Sequence, residues 1–587
     1  MSDRFEKDFI PFVRRPSRYI GGEVNQVKKD ISSCALTFAV CFADTYEIAM
    51  SNTGIAIIYE ILNSIDDVAA ERVFCPWIDA EKILREKDIE LFSLESKAAL
   101  NSFDVVGFSL TNELCYTNVL NMLDLGKIPL HSSQRTESDP IIIAGGSMAN
   151  CCEPMADFID LFLIGEGEDA VVELTRLIKE ENQAGASKKQ ILKKAAIQFD
   201  WVYVPQFYDF QYEQDKIKSF SPLFGELPEK MSNAVVEDFE NSPVPIKPII
   251  PFAKAVHERV SIEVMRGCPG RCRFCQASFC RRPVRFRSVD KILDIAKKSY
   301  DATGFDTVSL LSLSTADYPH LEELAGKLHS YFKEKYVGLS LPSLRVDQQL
   351  KILPELASSV RKSGLTIAVE AASERVRLLV NKKIHNKDLF AAVEQAYKSG
   401  WQKLKLYFMA GLPGETEDDL KQIVRLSYDL AKLRKDIDGK TGQINAAVSW
   451  LVPKPHTPLQ WMGQRSAEYF LNAKKIILDE KRRLGAKFIQ FKFHDIERSI
   501  LESAMGRGDR RLGKVIEKAW KNGARFDLWN ETFDHTLWQN AFEDLGFDLE
   551  KEAQIGFDTQ QILPWDHLGG PEKKYLLSHY NQVMDGL

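Results

Sequence analysis

Long apolar runs are missing from this sequence. No stretch of ~18 residues is continuously hydrophobic, so no membrane span is expected. A basic excess is missing too: 77 Lys and Arg face 83 Asp and Glu, for a net charge of −6 and a pI near 6.0. Proteins that wrap nucleic acid through its phosphates carry a broad positive excess, so the overall charge does not indicate that function; a local basic patch stays open. The first residues, MSDRFEKDFIPFVRRP, have no apolar stretch of the signal-peptide kind, which points to a cytoplasmic location. Cysteine is scarce, ten in 587 residues, and in a reducing compartment these are expected to be thiols or metal ligands rather than disulfides. Seven are scattered enough to be ordinary small buried residues. Internal repeats and long low-complexity tracts are absent as well.

What remains is a soluble-type balance, 27% charged and 44% hydrophobic, in a chain long enough for three or four domains at ~100–200 residues each. Residues 1–30 are polar and irregular. Then strands alternate with helices: strands at 35–42, 103–110, 140–146 and 159–168, helices at 55–65, 117–125 and 170–180. That alternation predicts an α/β domain with a doubly wound, Rossmann-like parallel sheet over 1–184. Ligands on such sheets sit beyond the carboxyl ends of the strands, where Gly145, Gly146, Gly165 and Gly167 fall; the same glycines also suit plain tight turns. Residues 185–255 read as a connector, with an aromatic extended stretch (201–212) and a proline-rich passage (242–252). A second alternating series gives strands at 261–267, 307–313, 338–344, 365–371, 403–411 and 444–452. Six strand–helix units predict a partial (β/α)6 barrel over 256–465. Residues 466–587 read as a mostly helical domain that closes the barrel mouth. There Arg507, Asp509, Arg510, Asp527 and Trp529 are candidate substrate contacts, with a salt-bridge network as the plainer role.

The sharpest local signal is EVMRGCPGRCRFCQAS (263–278), which carries Cys268, Cys272 and Cys275 at the end of the first strand of the second series. Closely spaced thiolates suit a soft metal centre. Zinc would want four ligands in paired spacing, and no fourth lies nearby; Cys280 is outside the spacing and reads as a spare structural thiol. Three cysteines can hold three irons of a [4Fe–4S] cluster and leave the fourth iron open to a substrate. Seven arginines between 266 and 287, with no acid among them, can neutralise a cluster, grip an anionic substrate, or simply line a solvated face.

The CxxxCxxC spacing, with Phe274 before the last cysteine, resembles the signature of the radical S-adenosylmethionine (SAM) superfamily. That resemblance implies SAM chelated at the open iron and cleaved reductively to a 5′-deoxyadenosyl radical, with a flavodoxin or ferredoxin as electron donor. The segment 365–384 is similar to the family's fourth-strand motif, which implies that Glu370 holds the SAM ribose, with Ser373 and Arg375 beside it. FMAGLPGETEDDL (408–420) is similar to the fifth-strand glycine motif, bringing in Gly411, and VPKPHTPLQW (452–461) to the sixth-strand passage near adenine, bringing in Pro453. The second-strand motif departs from the family's Gly-Gly-Glu: SLSTADY (312–318) offers Ser314 and Thr315 instead.

Placed before such a barrel, the first domain resembles the cobalamin-binding domain of B12-dependent radical SAM proteins. SNTGIAIIYEIL (51–62), AGGSMANCCEP (144–154) and IGEGED (164–169) carry that likeness, which implies cobalamin contacts from Gly54, Ser109, Thr111, Gly145, Gly146, Glu166 and Gly167. The DxHxxG motif that supplies a cobalt-ligating histidine is absent; Asp44 is followed by TYE. The whole chain is similar to an uncharacterised bacterial subfamily through 71–84, 91–100, 118–125 and 310–318. Relatives carry further cysteines past a PWDH element, and this chain stops soon after Pro564-Trp565-Asp566-His567, so a second carboxyl-terminal metal site is not expected. The implied activity is a cobalamin-dependent methyl transfer to a substrate that the sequence does not identify. Two alternatives stay open: a methylthiotransferase acting on RNA or protein, with a second cluster drawn from Cys34, Cys41, Cys75, Cys115, Cys151 and Cys152, and a non-catalytic iron–sulfur or cobalamin sensor.

Overall fold

The computed structural model describes residues 4–340 and 365–587. They fall into two compact units that each draw on distant parts of the chain. The first comprises Met1–Glu258, Ala504–Glu552 and Gln560–Gly570; the second comprises Arg259–Ser503, Ala553–Thr559 and Pro571–Leu587. The residues expected to make a separate helical domain (466–587) are therefore shared between the two, and no unit consists of them alone.

The first unit is built on a six-stranded sheet: β1 (Leu36–Phe42), β2 (Val68–Phe74), β3 (Val105–Ser109), β4 (Ile141–Gly145), β5 (Leu161–Leu163) and β6 (Val202–Tyr203), in the order β2-β1-β3-β4-β5-β6. All pairs are parallel except β5–β6. This is the doubly wound arrangement expected, with β6 added as an antiparallel edge. The order reverses between β1 and β3, which places a switch-point crevice at their carboxyl ends. Register aligns Phe42 with Phe74 and Ser109, and Ser109 with Gly145, so these strands finish at one edge. Both faces are covered, which is why the strands run as apolar stretches rather than alternating. Gly107 in mid-β3 is a packing choice: a Cβ there would lie 2.5 Å from the Phe38 ring on β1. Strand β2 escaped the sequence reading because it contains Glu71 and Arg72. Both are buried and paired, Arg72 to Glu23 (2.9 Å) and to Glu95 (2.6 Å), Glu71 to the Ser96 hydroxyl (2.6 Å).

In the second unit, β9 (Val260–Glu263), β12 (Thr307–Leu311) and β13 (Gly338–Ser340) form one parallel sheet in the order β13-β12-β9. A second parallel sheet runs β14 (Leu365–Glu370), β15 (Lys403–Ala410), β16 (Gln443–Trp450), β17 (Ile489–Phe493). Helices link successive strands. The longest among the described residues, Glu417–Asp438, starts from a capping box in which Thr416 and Asp419 satisfy each other's backbone N–H. The expected α/β succession is present, and no closed barrel forms among the described residues. The third strand was read over 338–344; β13 covers its first three residues, and 341–344 lie outside the described residues. Strand β17 and the helix Ala467–Arg483 carry the sheet beyond the expected boundary at 465. The two-stranded hairpin β7–β8 (Tyr208–Glu213, Lys216–Pro222) and the short pair β10–β11 (Met265–Arg266, Arg285–Phe286) complete the strands used below. Among the described residues no helix is long and apolar enough to cross a membrane.

Candidate active site

The cysteine loop opens where β10 ends. Gly267 makes the turn with φ +82°, and a Cβ there would meet the Arg281 carbonyl at 2.7 Å. The loop then runs through Cys268, Cys272 and Cys275 into the short helix Gln276–Cys280. Its backbone is held by side chains rather than by a ladder. The Arg282 guanidinium donates to the carbonyls of Cys268 (2.8 Å), Gly270 (3.0 Å) and Ser278 (2.9 Å). Asn381 donates to the Arg271 carbonyl (2.9 Å), and the Arg273 N–H to the Val380 carbonyl (2.9 Å). The arginine run is thus largely spent on architecture. Arg266 pairs with Glu263 (2.7 Å), Arg273 reaches the Leu379 carbonyl (2.5 Å), and Arg287 is buried against the Glu263 carbonyl (3.1 Å).

The three thiols are half-buried. Burial raises the Cys268 thiol and pushes Cys272 up to about 11, against the pull of the Lys382 ammonium on both. Thiols in this state are protonated until a metal claims them, so metal uptake releases protons. Among the described residues no three His, Cys, Asp or Glu side chains converge on one point, as a single ion would require. A [4Fe–4S] cluster does not ask for that, since each thiolate takes its own iron. The donor set otherwise fits such a cluster: three soft ligands, a nearby ammonium, and the buried Gln276 amide nitrogen, which has no hydrogen-bond partner and is free to donate to a sulfide. Cys280, whose thiol burial pushes to about 12, has the character of a structural residue.

Glu370 ends β14 in an unusual backbone state. Its φ is +68°, and the register with β15 slips between Ala368 and Glu370. A non-glycine residue held in the left-handed region costs ~1–3 kcal/mol, and such strain collects where a side chain must be aimed. The carboxylate lies 3.6 Å from Lys382 Nζ; burial raises its pKa and Lys382 opposes the rise. Glu370 and Lys382 both act on Cys272, so the expected ribose-binding carboxylate and the cysteine loop share one neighbourhood. Lys382 and Asn381 were not foreseen. The only trace in the sequence is VNKK after a short helix: Asn381 takes the left-handed position (φ +56°) that follows a helix end, which aims Lys382 at the loop.

The other expected SAM contacts are placed as follows. Phe274 packs against a buried apolar cluster that includes Leu379, Val380 and Leu412. Ser373 caps the helix Glu374–Leu379. Arg375 donates to the Gly414 carbonyl (2.8 Å) and pairs with Asp419 (2.7 Å), tying the loop after β14 to the loop after β15. Gly411 turns the chain at the end of β15 with φ +92°, and Pro453 is buried just beyond β16. Ser314 donates to Asp317 (2.6 Å), and the buried Thr315 hydroxyl bonds Ser312 (2.9 Å), so both hydroxyls already have partners within their own turn.

In the same glycine motif, Glu415 accepts from the Gly411 N–H (2.6 Å) and the Tyr469 hydroxyl (2.7 Å), yet burial raises it to about 7. A carboxyl raised above its unfolded value favours the fold when protonated. Its stabilisation is present at low pH and is lost as pH rises from the unfolded value through 7. Glu415→Gln keeps both acceptor contacts without the charge. It is expected to remove part of the stability loss between pH 5 and 8, as read by denaturant titration at the two pH values.

In the first unit, Ser109, Thr111, Gly145, Gly146 and Gly167 lie part-exposed at the carboxyl edge of the sheet, and Gly54 is exposed near the start of the helix Thr53–Ser64. The GEGE loop is engaged by the connector: Glu166 accepts from the Val236 N–H (2.8 Å), and a Cβ on Gly165 (φ +112°) would lie 2.4 Å from the Ala234 backbone. Other segments of the same unit pack beside the switch point. Trp529 Nε1 donates to Asp44 (2.9 Å), the Phe526 N–H donates to Asn118 (2.8 Å), and Trp77 packs on both Phe526 and Trp529. Asp527 accepts from Thr117 (2.9 Å) and Trp538 (3.0 Å), Arg510 pairs with Glu153 (2.9 Å), Asp509 pairs with Arg511 (2.8 Å), and Arg507 is buried. Of the five candidate substrate contacts, Arg510 and Asp509 are engaged in salt bridges and Asp527 and Trp529 in hydrogen bonds within the first unit. Five of the six cysteines considered for a second cluster are buried, and burial holds Cys41, Cys75, Cys115 and Cys152 as thiols; Cys34 precedes β1, at the opposite end of the strand from the carboxyl edge.

A three-thiol loop and a strained, half-buried carboxylate thus share one neighbourhood at the carboxyl ends of an open parallel α/β fold. Residues 262–427 match the family profile of the radical SAM superfamily, and residues 54–205 match that of the N-terminal region of radical SAM proteins. The chain belongs to the radical SAM superfamily of enzymes. Among its relatives, the uncharacterized protein MJ0966 of Methanocaldococcus jannaschii is 28% identical over 436 residues, 74% of this chain and 84% of that protein. The anaerobic magnesium-protoporphyrin IX monomethyl ester cyclase of Cereibacter sphaeroides is 25% identical, covering 70% of this chain and 64% of its own length. The ribosomal protein uS12 methylthiotransferase RimO of Desulfotalea psychrophila is 26% identical over 28% of this chain and 39% of its own. Solved structures that resemble the chain include the methyltransferase TsrM from Kitasatospora setae with cobalamin and a [4Fe–4S] cluster bound (TM-score 0.46, 13% identity, 71% of this chain and 75% of that one). Another is the radical enzyme OxsB with aqua-cobalamin (TM-score 0.46, 12% identity, 94% and 80%).

Proposed function

We propose that this protein is a radical SAM methyltransferase that works with cobalamin. The observation that carries the radical SAM part is the convergence of the Cys268–Cys275 loop with Glu370 and Lys382. A bound cluster would supply the single electron that splits SAM into methionine and the 5′-deoxyadenosyl radical, the species that would take hydrogen from a substrate. The chain's own work is placement. Cys268, Cys272 and Cys275 would hold the cluster, with Gln276 as a donor beside it. Glu370, aimed by its left-handed backbone, would accept from the ribose hydroxyls, and Lys382 would balance the charge of the carboxylate and of the cluster. Phe274 gives an apolar wall, which keeps water from a reactive radical.

The methyl-transfer part rests on the first unit. Its part-exposed loops at Ser109–Thr111 and Gly145–Gly146 are glycine- and hydroxyl-lined and suit a corrin or its nucleotide tail, and the DxHxxG motif is absent, since TYE follows Asp44. A methylthiotransferase reading would need the buried thiols of this unit to gather on a second cluster, and their burial argues against it. Anaerobic turnover with cobalamin, a low-potential reductant and cell extract as substrate source is expected to yield both 5′-deoxyadenosine and S-adenosylhomocysteine. Deoxyadenosine alone would remove the methylation claim and spare the radical chemistry.

A further inference from the structure

The last helix, Lys573–Met584, lies about 300 residues from the cysteine loop in sequence and packs directly on it. Arg271 Nε donates to the Tyr575 hydroxyl at 2.8 Å, and the Arg273 guanidinium bridges the Leu379 carbonyl and the Gln582 side chain. The Phe279 ring, one turn past Cys275, meets Tyr575 (6.1 Å) and stands edge-on to His579 (5.9 Å). Burial, with Arg273 and Arg271 adding to it, holds the His579 imidazole below its ordinary pKa.

The same helix reaches the other loops at this end of the unit. Val583 is fully buried among Leu379, Val380, Leu412, Leu451 and Leu459. Tyr580 packs on Trp461 (5.3 Å), and a Cβ on Gly414 would lie 2.7 Å from the Leu587 side chain. The helix, with Leu587 three residues past its end, therefore touches the cysteine loop, the helix after β14, the glycine motif after β15 and the passage after β16. Within the cysteine loop itself, backbone hydrogen bonds are few, so its opening is governed by side-chain contacts from outside.

We infer that Lys573–Met584 is the outer clamp of the iron–sulfur loop: through Tyr575, His579, Gln582 and Val583 it fixes the loop's conformation and sets how long a bound cluster survives. These are positioning residues, and the inference rests on the radical SAM reading above. The test uses the full chain with the cluster reconstituted anaerobically. Tyr575→Phe deletes the acceptor for Arg271 and keeps the ring; Gln582→Ala deletes the partner of Arg273. Ser578→Ala, exposed on the same helix, is the control. Two rates are read: loss of the cluster's visible absorbance in air, and amide hydrogen exchange at Arg273 and Cys275 in protein without metal. Each variant is expected to speed both about fivefold, the factor that corresponds to one lost hydrogen bond of ~1 kcal/mol, and both together more so. Ser578→Ala should match the unmodified chain. Unchanged rates, or acceleration spread evenly over the whole unit, overturn the clamp. An unmodified chain that takes up no cluster overturns the functional reading instead, and the exchange measurement, which needs no metal, then decides the clamp alone.

Discussion

Replacing any one of Cys268, Cys272 and Cys275 by alanine is expected to reduce iron and sulfide uptake to background and to abolish 5′-deoxyadenosine formation from SAM, with the fold intact. The fold survives because the thiols are half-buried on a loop braced by Arg282, Asn381 and the Val380 carbonyl, none of which contacts a sulfur in making these bonds. The chemistry does not survive, because two thiolates cannot hold three irons while leaving the fourth open. Cys280→Ala is the discriminating control: that thiol lies outside the spacing, and the variant should retain both cluster and cleavage. Metal analysis together with far-ultraviolet circular dichroism on the four variants checks the pattern. Equal loss in Cys280→Ala would show that the loop needs a fourth sulfur.

Glu153→Gln is expected to destabilise the first unit by ~3–5 kcal/mol, the usual result of removing one partner of a buried ion pair. Glu153 is fully buried and accepts from Arg510 Nε (2.9 Å), from the His567 ring (3.2 Å) and from the Tyr203 hydroxyl. Burial by itself would raise this carboxyl, but Arg510 and His567 outweigh burial and hold it at about 2. Arg510 is wedged over the Phe210 ring (4.0 Å) and cannot simply turn to water when its partner is lost. Because the folded pKa is depressed, the stabilisation is fully present above the unfolded value and fades as pH falls from ~4.3 towards 2. Denaturant unfolding at pH 7 should therefore separate Glu153→Gln clearly from the unmodified chain, and at pH 2–3 the gap should narrow.

The cysteine motif, the strand-end position of Glu370 and the parallel sheet of the first unit were legible because each is local. A three-residue spacing, an apolar run or a strand followed by a helix pattern needs no knowledge of the rest of the chain. Strand β2 was missed because Glu71 and Arg72 look like surface residues until their partners Glu23, Glu95 and Ser96 are known. The division of the carboxyl-terminal residues was missed for the same reason on a longer scale. Arg510 meets Glu153 across 357 positions and Trp529 meets Asp44 across 485, and no periodicity announces such pairs. Those contacts make braces of Arg510 and Trp529, two of the candidate substrate residues. Lys382 and the last helix belong to this class too: their relation to the cysteine loop exists only in three dimensions.

If the Cys268–Cys275 loop carries a cluster with an iron open to SAM, electron paramagnetic resonance of the reduced, reconstituted full-length protein will register the binding of SAM. The spectrum recorded with SAM should differ from the one recorded without it, and deoxyadenosine should accumulate in the same sample. A cluster signal that SAM leaves unmoved, with no deoxyadenosine formed, would mark the protein as a non-catalytic iron–sulfur protein on this fold.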